Sequence, residues 1–246
     1  MSALELLCLW SVAPTQAYQL TPLSATLKPS GSGASQTFEL ENKSENPVPV
    51  EISIARRGQD LDGQDVLDSS PAAEEKFIIY PPQFILDPKS IRSVKVTWAG
   101  GTTVDAEQAF RVNFTELSVP LPKDKEKPKK AEAKINLLFN YSAAVYVVPD
   151  KAVAKFSLVS AGPSSKDPKK LEMIVENTGT AHATLKGFTA TLVAPDKRQT
   201  LLTEQDAGAG TGWDRNVLVG SKLRFLVPWP PSLPKGPLSG DFVPKL

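Results

Sequence analysis

From Ala133 to Pro149 the chain reads Ala-Lys-Ile-Asn-Leu-Leu-Phe-Asn-Tyr-Ser-Ala-Ala-Val-Tyr-Val-Val-Pro, and Ile135, Leu137, Phe139, Tyr141, Ala143, Val145 and Val147 occupy every second position. A period of two places all seven on one face of a β-strand. Some fifteen residues of alternation exceed the usual strand of about 5–6. The stretch follows Pro120 to Lys134, a lysine-rich segment with proline that reads as a loop. An apolar strand this long and loosely bounded is an aggregation hazard unless its edge is used. Two uses suit it: pairing within its own sheet, or being lent to another chain as an added strand.

The rest of the chain alternates in shorter pieces. Gln36 to Glu41, Val48 to Ile54 and Ser93 to Trp98 read as strands, separated by Asn42-Lys-Ser-Glu-Asn-Pro47, Gln59-Asp-Leu-Asp-Gly63 and Asp87-Pro-Lys-Ser90. Those separators hold the Asn, Asp, Gly and Pro that turns require. The pattern closes at Pro149 and restarts in Lys155 to Val159, Leu171 to Glu176, Thr184 to Leu192 and Lys222 to Val227. No amphipathic helix of useful length interrupts it. At roughly 100–150 residues per domain, 246 residues suit two domains. The expected division is 1–17 leader, 18–149 first domain and 150–246 second domain. Asn42 and Asn177 each end an alternating strand and precede a turn, in Phe-Glu-Leu-Glu-Asn-Lys-Ser and Met-Ile-Val-Glu-Asn-Thr-Gly. The predicted fold is therefore all-β, with two immunoglobulin-like β-sandwich domains of one plan.

Composition restricts function more than fold. The net charge of +1 provides no basic field for a phosphate backbone, so nucleic acid is not an expected partner. Cys8 is the single cysteine and lies in the apolar run Leu4 to Val12, ahead of Ala13-Pro-Thr-Gln-Ala17. Small residues at 15 and 17 suit cleavage after Ala17, so residues 1–17 read as a signal peptide, truncated because no basic start precedes it. No other segment approaches the ~20 apolar residues of a membrane span. His182 is the only histidine, and cleavage would leave no thiol. A Ser-His-Asp triad would rest on that one residue, which reads instead as an exposed or half-buried strand histidine. Neither a metal site nor a cofactor has ligands here, and the chain is not expected to be an enzyme.

Several local patterns take structural readings. Asp60-Leu-Asp-Gly-Gln-Asp65 places its Gly too early for a calcium loop and reads as a hairpin turn. Gly208 to Gly212 lacks the following Lys-Ser/Thr of a phosphate loop and reads as a flexible loop. One of the X-Pro bonds in Tyr80-Pro-Pro82 is expected to be cis. Trp213 and Trp229 read as terminal packing, and Lys123 to Lys130, diluted by Asp124 and Glu126, as a solvated loop.

Taken in order, Phe38 to Asn42, Pro47 to Ile52, Ile79-Tyr-Pro-Pro-Gln-Phe84, Arg92 to Val96, Phe110-Arg-Val-Asn-Phe-Thr-Glu-Leu117 and the long strand to Pro149 resemble the periplasmic chaperones of chaperone/usher pili. The resemblance spans the first domain; the second matches in size, position and strand pattern. It implies two sandwiches set as a boomerang in the periplasm. It also implies pilin or fimbrial subunits and an outer-membrane usher as partners, and self-association through the free edge. Pilins lack their last strand, which the chaperone supplies. Counting back from Pro149 as the family's Pro, the donated residues are Ile135, Leu137 and Phe139, with Tyr141 a fourth. Three or four such side chains leaving water, at about 1.5–3 kcal/mol each, supply roughly 5–12 kcal/mol before association costs. A slip of one residue would present Asn136 and Asn140 instead.

The family also holds the pilin C-terminal carboxylate with an Arg on the first strand and a Lys on the long strand. The same count puts Ser24 and Ala144 at those positions, so neither is basic. Lys28, Arg56, Arg57 and Arg111 are the cations that could substitute, each read first as a solvated surface residue. The competing reading is a structural or adhesive surface protein of tandem sandwiches, which would carry its own donor extension or lack a strand.

Overall fold

The computed structural model describes residues 18–118, 138–207 and 214–246. The expected leader, the lysine-rich loop with Ile135 and Leu137, the Gly208 to Gly212 loop and Trp213 lie outside the described residues. The first sandwich contains β1 (Gln19–Thr21), β2 (Ser24–Leu27), β3 (Ser35–Glu41), β4 (Val48–Gln59), β5 (Asp65–Asp68), β6 (Phe77–Tyr80), β7 (Gln83–Leu86), β8 (Ile91–Trp98), β9 (Gln108–Glu116) and β10 (Asn140–Val147). The second contains β11 (Phe156–Pro163), β12 (Lys170–Asn177), β13 (Ala183–Leu185), β14 (Gly187–Val193), β15 (Gln199–Thr203), β16 (Arg215–Val217), β17 (Lys222–Pro228) and β18 (Ser239–Lys245). Among the described residues the helices are one α-helical turn, Pro71–Glu74, and one 3-10 turn of equal length, Gly31–Ala34. The all-β, two-sandwich expectation is met.

In the first sandwich a sheet ordered β1-β3-β8-β6 packs on one ordered β2-β10-β9-β4-β5, with β7 against β4. Alternation explains the packing: Val48, Val50, Ile52 and Ile54 of β4 turn inward while Glu51 and Ser53 turn out. Phe38, Leu40, Phe110, Phe114 and Val145 are sealed from water between the sheets. Phe77 lies edge-on to Trp98 and Phe110, with ring centroids 5.2 and 4.8 Å apart, a preferred aromatic geometry. The second sandwich is built from β11-β12-β17, β13-β16 and β15-β14-β18. Leu171, Met173, Val175, Phe188, Leu192, Leu223 and Phe225 fill its core.

The two asparagines play one role twice. Asn42 is fully buried; its Nδ2 donates to the carbonyls of Asn46, Leu86 and Asp87, and its Oδ1 accepts from the Ser44 N–H. Asn177 is likewise fully buried; its Nδ2 donates to Ala181 and Val217 carbonyls, and its Oδ1 accepts from the Gly179 N–H. Each closes the turn after its strand on itself and ties it to a distant strand end.

Three expectations need correction. Among the described residues the long strand is regular over Asn140–Val147, and Leu138 and Phe139 precede it as irregular chain. Thr184 to Leu192 is not one strand, because β13 and β14 belong to different sheets and break at Lys186. His182 lies in the turn before β13 rather than in a strand, half-buried against the first sandwich. The Asp60 to Gly63 turn does join the antiparallel pair β4 and β5, and the Tyr80–Pro81 bond is cis, as is Thr21–Pro22. Trp229 packs on the second core, with its Nε1 donating to Leu233 O.

Candidate functional site

β10 is paired unevenly. On one flank β9 accompanies it throughout, from Asn140 opposite Thr115 to Val147 opposite Gln108. On the other, β2 runs parallel to it only from Ala144 to Val147. Upstream of Ser24 the chain bends away through Pro22, and β1 joins the opposite sheet beside β3. Ala144 N–H points to this second flank and bonds Leu23 O at 2.9 Å. Since backbone polar groups alternate along a strand, Asn140 and Ser142 direct N–H and C=O to the same flank, where among the described residues no strand pairs with them. Such an open row is a template for another chain.

The side chains continue the same line. Ala143, Val145 and Val147 are fully buried in the first core. Tyr141 and Phe139, on the same face, are only partly buried at its rim. Tyr141 is held inward, its hydroxyl donating to Tyr18 O at 2.6 Å and its ring 4.8 Å from that of Tyr18. Leu137 and Ile135, expected on the same face from the alternation of the sequence, lie outside the described residues. The apolar face of β10 is therefore fully buried from Ala143 to Val147 and only partly buried at Tyr141.

Register sets Ser24 directly beside Ala144. Their surroundings are apolar on the far face: Ala144, Tyr146 and Ala109 pack under Leu218 of the second sandwich. Arg111 is the cross-strand neighbour of Ala144. Arg57 and Arg111 are not the solvated cations expected, with side chains only 9% and 22% exposed. Both clamp Asp65, at 2.8 Å from Arg57 Nε and 2.7 Å from Arg111 Nη2. Burial pushes the Asp65 carboxyl up, but the two guanidinium hydrogen bonds and their charge outweigh it and hold its pKa below the ordinary carboxylate value. Lys28 and Arg56 are exposed as expected, Lys28 pairing with Asp150 at 2.8 Å.

A depressed carboxyl pKa contributes stability above the unfolded value that is lost as pH falls through the folded one. Asp65→Asn is therefore expected to cost about 2 kcal/mol at neutral pH, from charge-assisted bonds made weaker. The deficit should shrink as pH falls below the ordinary carboxylate value of about 4, where the unfolded chain takes up a proton that the folded carboxyl still resists. Urea unfolding at pH 7 and pH 3 checks this; an equal deficit at both contradicts it.

The same side of β4, β9 and β10 makes a polar seam with the second sandwich. Tyr146 Oη accepts from Arg57 Nη1 at 2.8 Å and from Asn216 Nδ2 at 2.7 Å. Glu107, its side chain 2% exposed, receives His182 Nδ1 at 2.6 Å, and the imidazole stacks on Tyr146 with centroids 4.0 Å apart. The β4–β5 turn reaches across as well, Arg224 N–H bonding Leu61 O at 2.7 Å. Sequence reading missed Asp65 and Glu107 as partners. Only the first left a signal, since the predicted Asp60 to Gly63 turn brings Arg57 and Asp65 onto neighbouring strands.

Among the described residues no cluster of three or more His, Cys, Asp or Glu side chains could hold a metal ion, and no helix is long and apolar enough to cross a membrane. No curated protein matches the sequence. Solved structures match the fold. A CsuC–CsuE chaperone–tip adhesion subunit pre-assembly complex, from archaic chaperone-usher Csu pili of Acinetobacter baumannii, aligns over 92% of this chain and 93% of the other, at TM-score 0.57 and 13% identity. The class 5 fimbriae chaperone CfaA aligns over 93% and 99%, at 0.55 and 14%. A chaperone–tip adhesin complex of CFA/I fimbriae aligns over 85% and 88%, at 0.55 and 16%. The model of the pili and flagellar-assembly chaperones, PapD N-terminal domain, matches residues 21–152, the stretch that contains both sheets of the first sandwich and the half-open strand β10. Because that match covers more than half of the 246 residues, the chain belongs to the pili and flagellar-assembly chaperone family.

Proposed function

We propose that this family member is a periplasmic chaperone that captures pilus or fimbrial subunits by lending them the N-terminal part of its long strand. The observation that carries this reading is the half-open strand: among the described residues β10 has no strand on one flank at Asn140 and Ser142, and Tyr141 and Phe139 on its apolar face are only partly buried. Ile135 and Leu137 enter the subunit's groove, Phe139 stands at the border, and Tyr141 stays with the chaperone. Three side chains leaving water supply roughly 5–9 kcal/mol at about 1.5–3 each. No nucleotide is needed, since completing the client's sheet provides the driving force.

The division at Pro149 belongs to the same proposal, with residues 18–149 as the capturing domain and 150–246 as the domain that flanks it. An outer-membrane usher is the second partner, to which the loaded chaperone passes its cargo, and the free edge lets empty copies pair. Ser24 and Ala144 leave the cleft without the usual cations, and Arg111, the basic residue nearest in register, is engaged by Asp65. Affinity therefore rests on the strand rather than on a carboxylate anchor.

Co-expression with the pilin-like proteins encoded beside it, followed by size exclusion of the periplasmic fraction, tests the reading. A stoichiometric one-to-one complex is expected. A folded protein that forms no complex with any of them would transfer the weight to a tandem-sandwich surface protein.

A further inference from the structure

The regular ladder between β9 and β10 ends at the pair Thr115–Asn140. One residue upstream, Phe139 is no longer in a strand, yet both its backbone polar groups are held. Its N–H donates to Glu116 Oε2 at 3.1 Å. Its carbonyl accepts from Glu116 N–H at 3.3 Å and from the Tyr18 hydroxyl at 3.1 Å. The same hydroxyl lies 2.7 Å from Phe114 O on β9. Tyr18 has one O–H proton, so the hydroxyl shares it between the two carbonyls and laces the strands together where regular pairing stops.

Tyr18 is itself fixed. It is fully buried, its ring packs against Tyr141, and its own carbonyl accepts the Tyr141 hydroxyl. Burial, with the nearby Glu116 charge and Tyr141, drives its pKa upward, so the hydroxyl keeps its proton as a donor. None of this is needed to fill the core, which a phenylalanine ring would fill as well. The polar contacts converge on one peptide unit, the last before the chain leaves its sheet.

We infer that Tyr18 and Glu116 are positioning residues that fix the register and departure angle of the donated segment by clamping Phe139. The inference rests on the strand-lending reading. Its physical basis is the period of two: a slip of one position would turn Asn136 and Leu138, rather than Leu137, toward the client. A strand lent to another chain needs its register set before the client arrives. The clamp supplies that setting in advance and lowers the ordering cost of binding.

The test compares wild type, Tyr18→Phe, Glu116→Ala, Glu116→Gln and Leu137→Glu in client capture. A photo-crosslinking residue is placed in turn at positions 136 and 138. In wild type both positions crosslink weakly to a pilin-like client encoded beside the chain. Tyr18→Phe and Glu116→Ala should weaken capture about five- to tenfold, the scale of one lost hydrogen bond, and should raise crosslinking from 136 and 138. Glu116→Gln, which keeps an acceptor for the Phe139 N–H, should restore the wild-type pattern. A loss of fold alone would lower all yields without moving the pattern, and Glu116→Ala, at the half-buried rim, covers the case in which Tyr18→Phe does not fold. Wild-type capture and pattern in both variants, with Leu137→Glu defective, would overturn the clamp and leave strand lending intact. Unimpaired capture by Leu137→Glu would instead overturn strand lending.

Discussion

Leu137→Glu leaves the chaperone folded and removes its client. Among the described residues this face of the strand enters the first core at Val147, Val145 and Ala143, with Tyr141 and Phe139 at its rim, so a change at 137 is expected to leave that core intact. In the complex the same change forfeits about 2–3 kcal/mol of apolar burial and places a carboxylate in an apolar groove without a partner, at a further cost of several kcal/mol. Together these weaken capture by at least about a hundredfold. Phe139→Glu separates the two roles: it should abolish capture and also lower the chaperone's own stability, by about 1–3 kcal/mol, because Phe139 packs on the core. Pull-down of a tagged client, read beside thermal unfolding of each variant, checks both. Unchanged client yield from well-expressed Leu137→Glu would sink the proposed role of the strand.

Asn42→Ala and Asn177→Ala carry the largest expected cost in stability. Asn42 satisfies three carbonyls and one backbone N–H from a fully buried position. Alanine leaves the Leu86 carbonyl and the Ser44 N–H without Asn42, while the exposed Asp87 carbonyl keeps the Ser90 hydroxyl. At about 1–3 kcal/mol for each buried group left unpaired, the loss comes to about 3–5 kcal/mol, a large fraction of a domain's total. Asn177→Ala should cost slightly less, since its Nδ2 serves two carbonyls rather than three. Asn42→Asp is the sharper control. It keeps the shape but turns carboxylate oxygen toward three carbonyl oxygens, and should be worse than alanine. Urea denaturation followed by tryptophan fluorescence measures all three, and a cost below about 1 kcal/mol for Asn42→Ala would contradict the assignment.

Alternation made most of the first sandwich legible, because a strand with one face buried must repeat at two and nothing else in the chain competes with that signal. It worked at Val48 to Ile54 and at Ser93 to Trp98, and it found the repeated asparagines. It overran at the long strand, where an apolar face continues past the point at which β9 stops pairing, since periodicity describes a face and says nothing about a neighbour. It also ran two strands together at Lys186, where the chain changes sheets without losing its alternation. Short edge strands such as β16, Arg215–Val217, hold too few residues to show a period.

The site was legible in outline only. The expected donor residues and the positions Ser24 and Ala144 both came from the family resemblance, counted back from Pro149, and the register sets Ser24 and Ala144 side by side. The polar contacts around them were not readable. Glu107 and His182 are 75 positions apart, and Tyr18 and Phe139 are 121 apart; no local pattern marks either pair. Arg57 and Arg111 were misjudged for a related reason. A cation on a strand is ordinarily solvated, and the carboxylate that draws these two inward arrives only when the β4–β5 hairpin folds back.

Hydrogen exchange of the segment from Ala133 to Ser142, compared between the free chaperone and its complex with a pilin-like subunit, is the most direct measurement of the central claim. Strand lending predicts that amides of this segment slow by at least about tenfold in the complex as the client's sheet accepts them. A stable complex in which this segment exchanges as fast as in the free chaperone would show that the client is held elsewhere, and the account of β10 as a lent strand would be wrong.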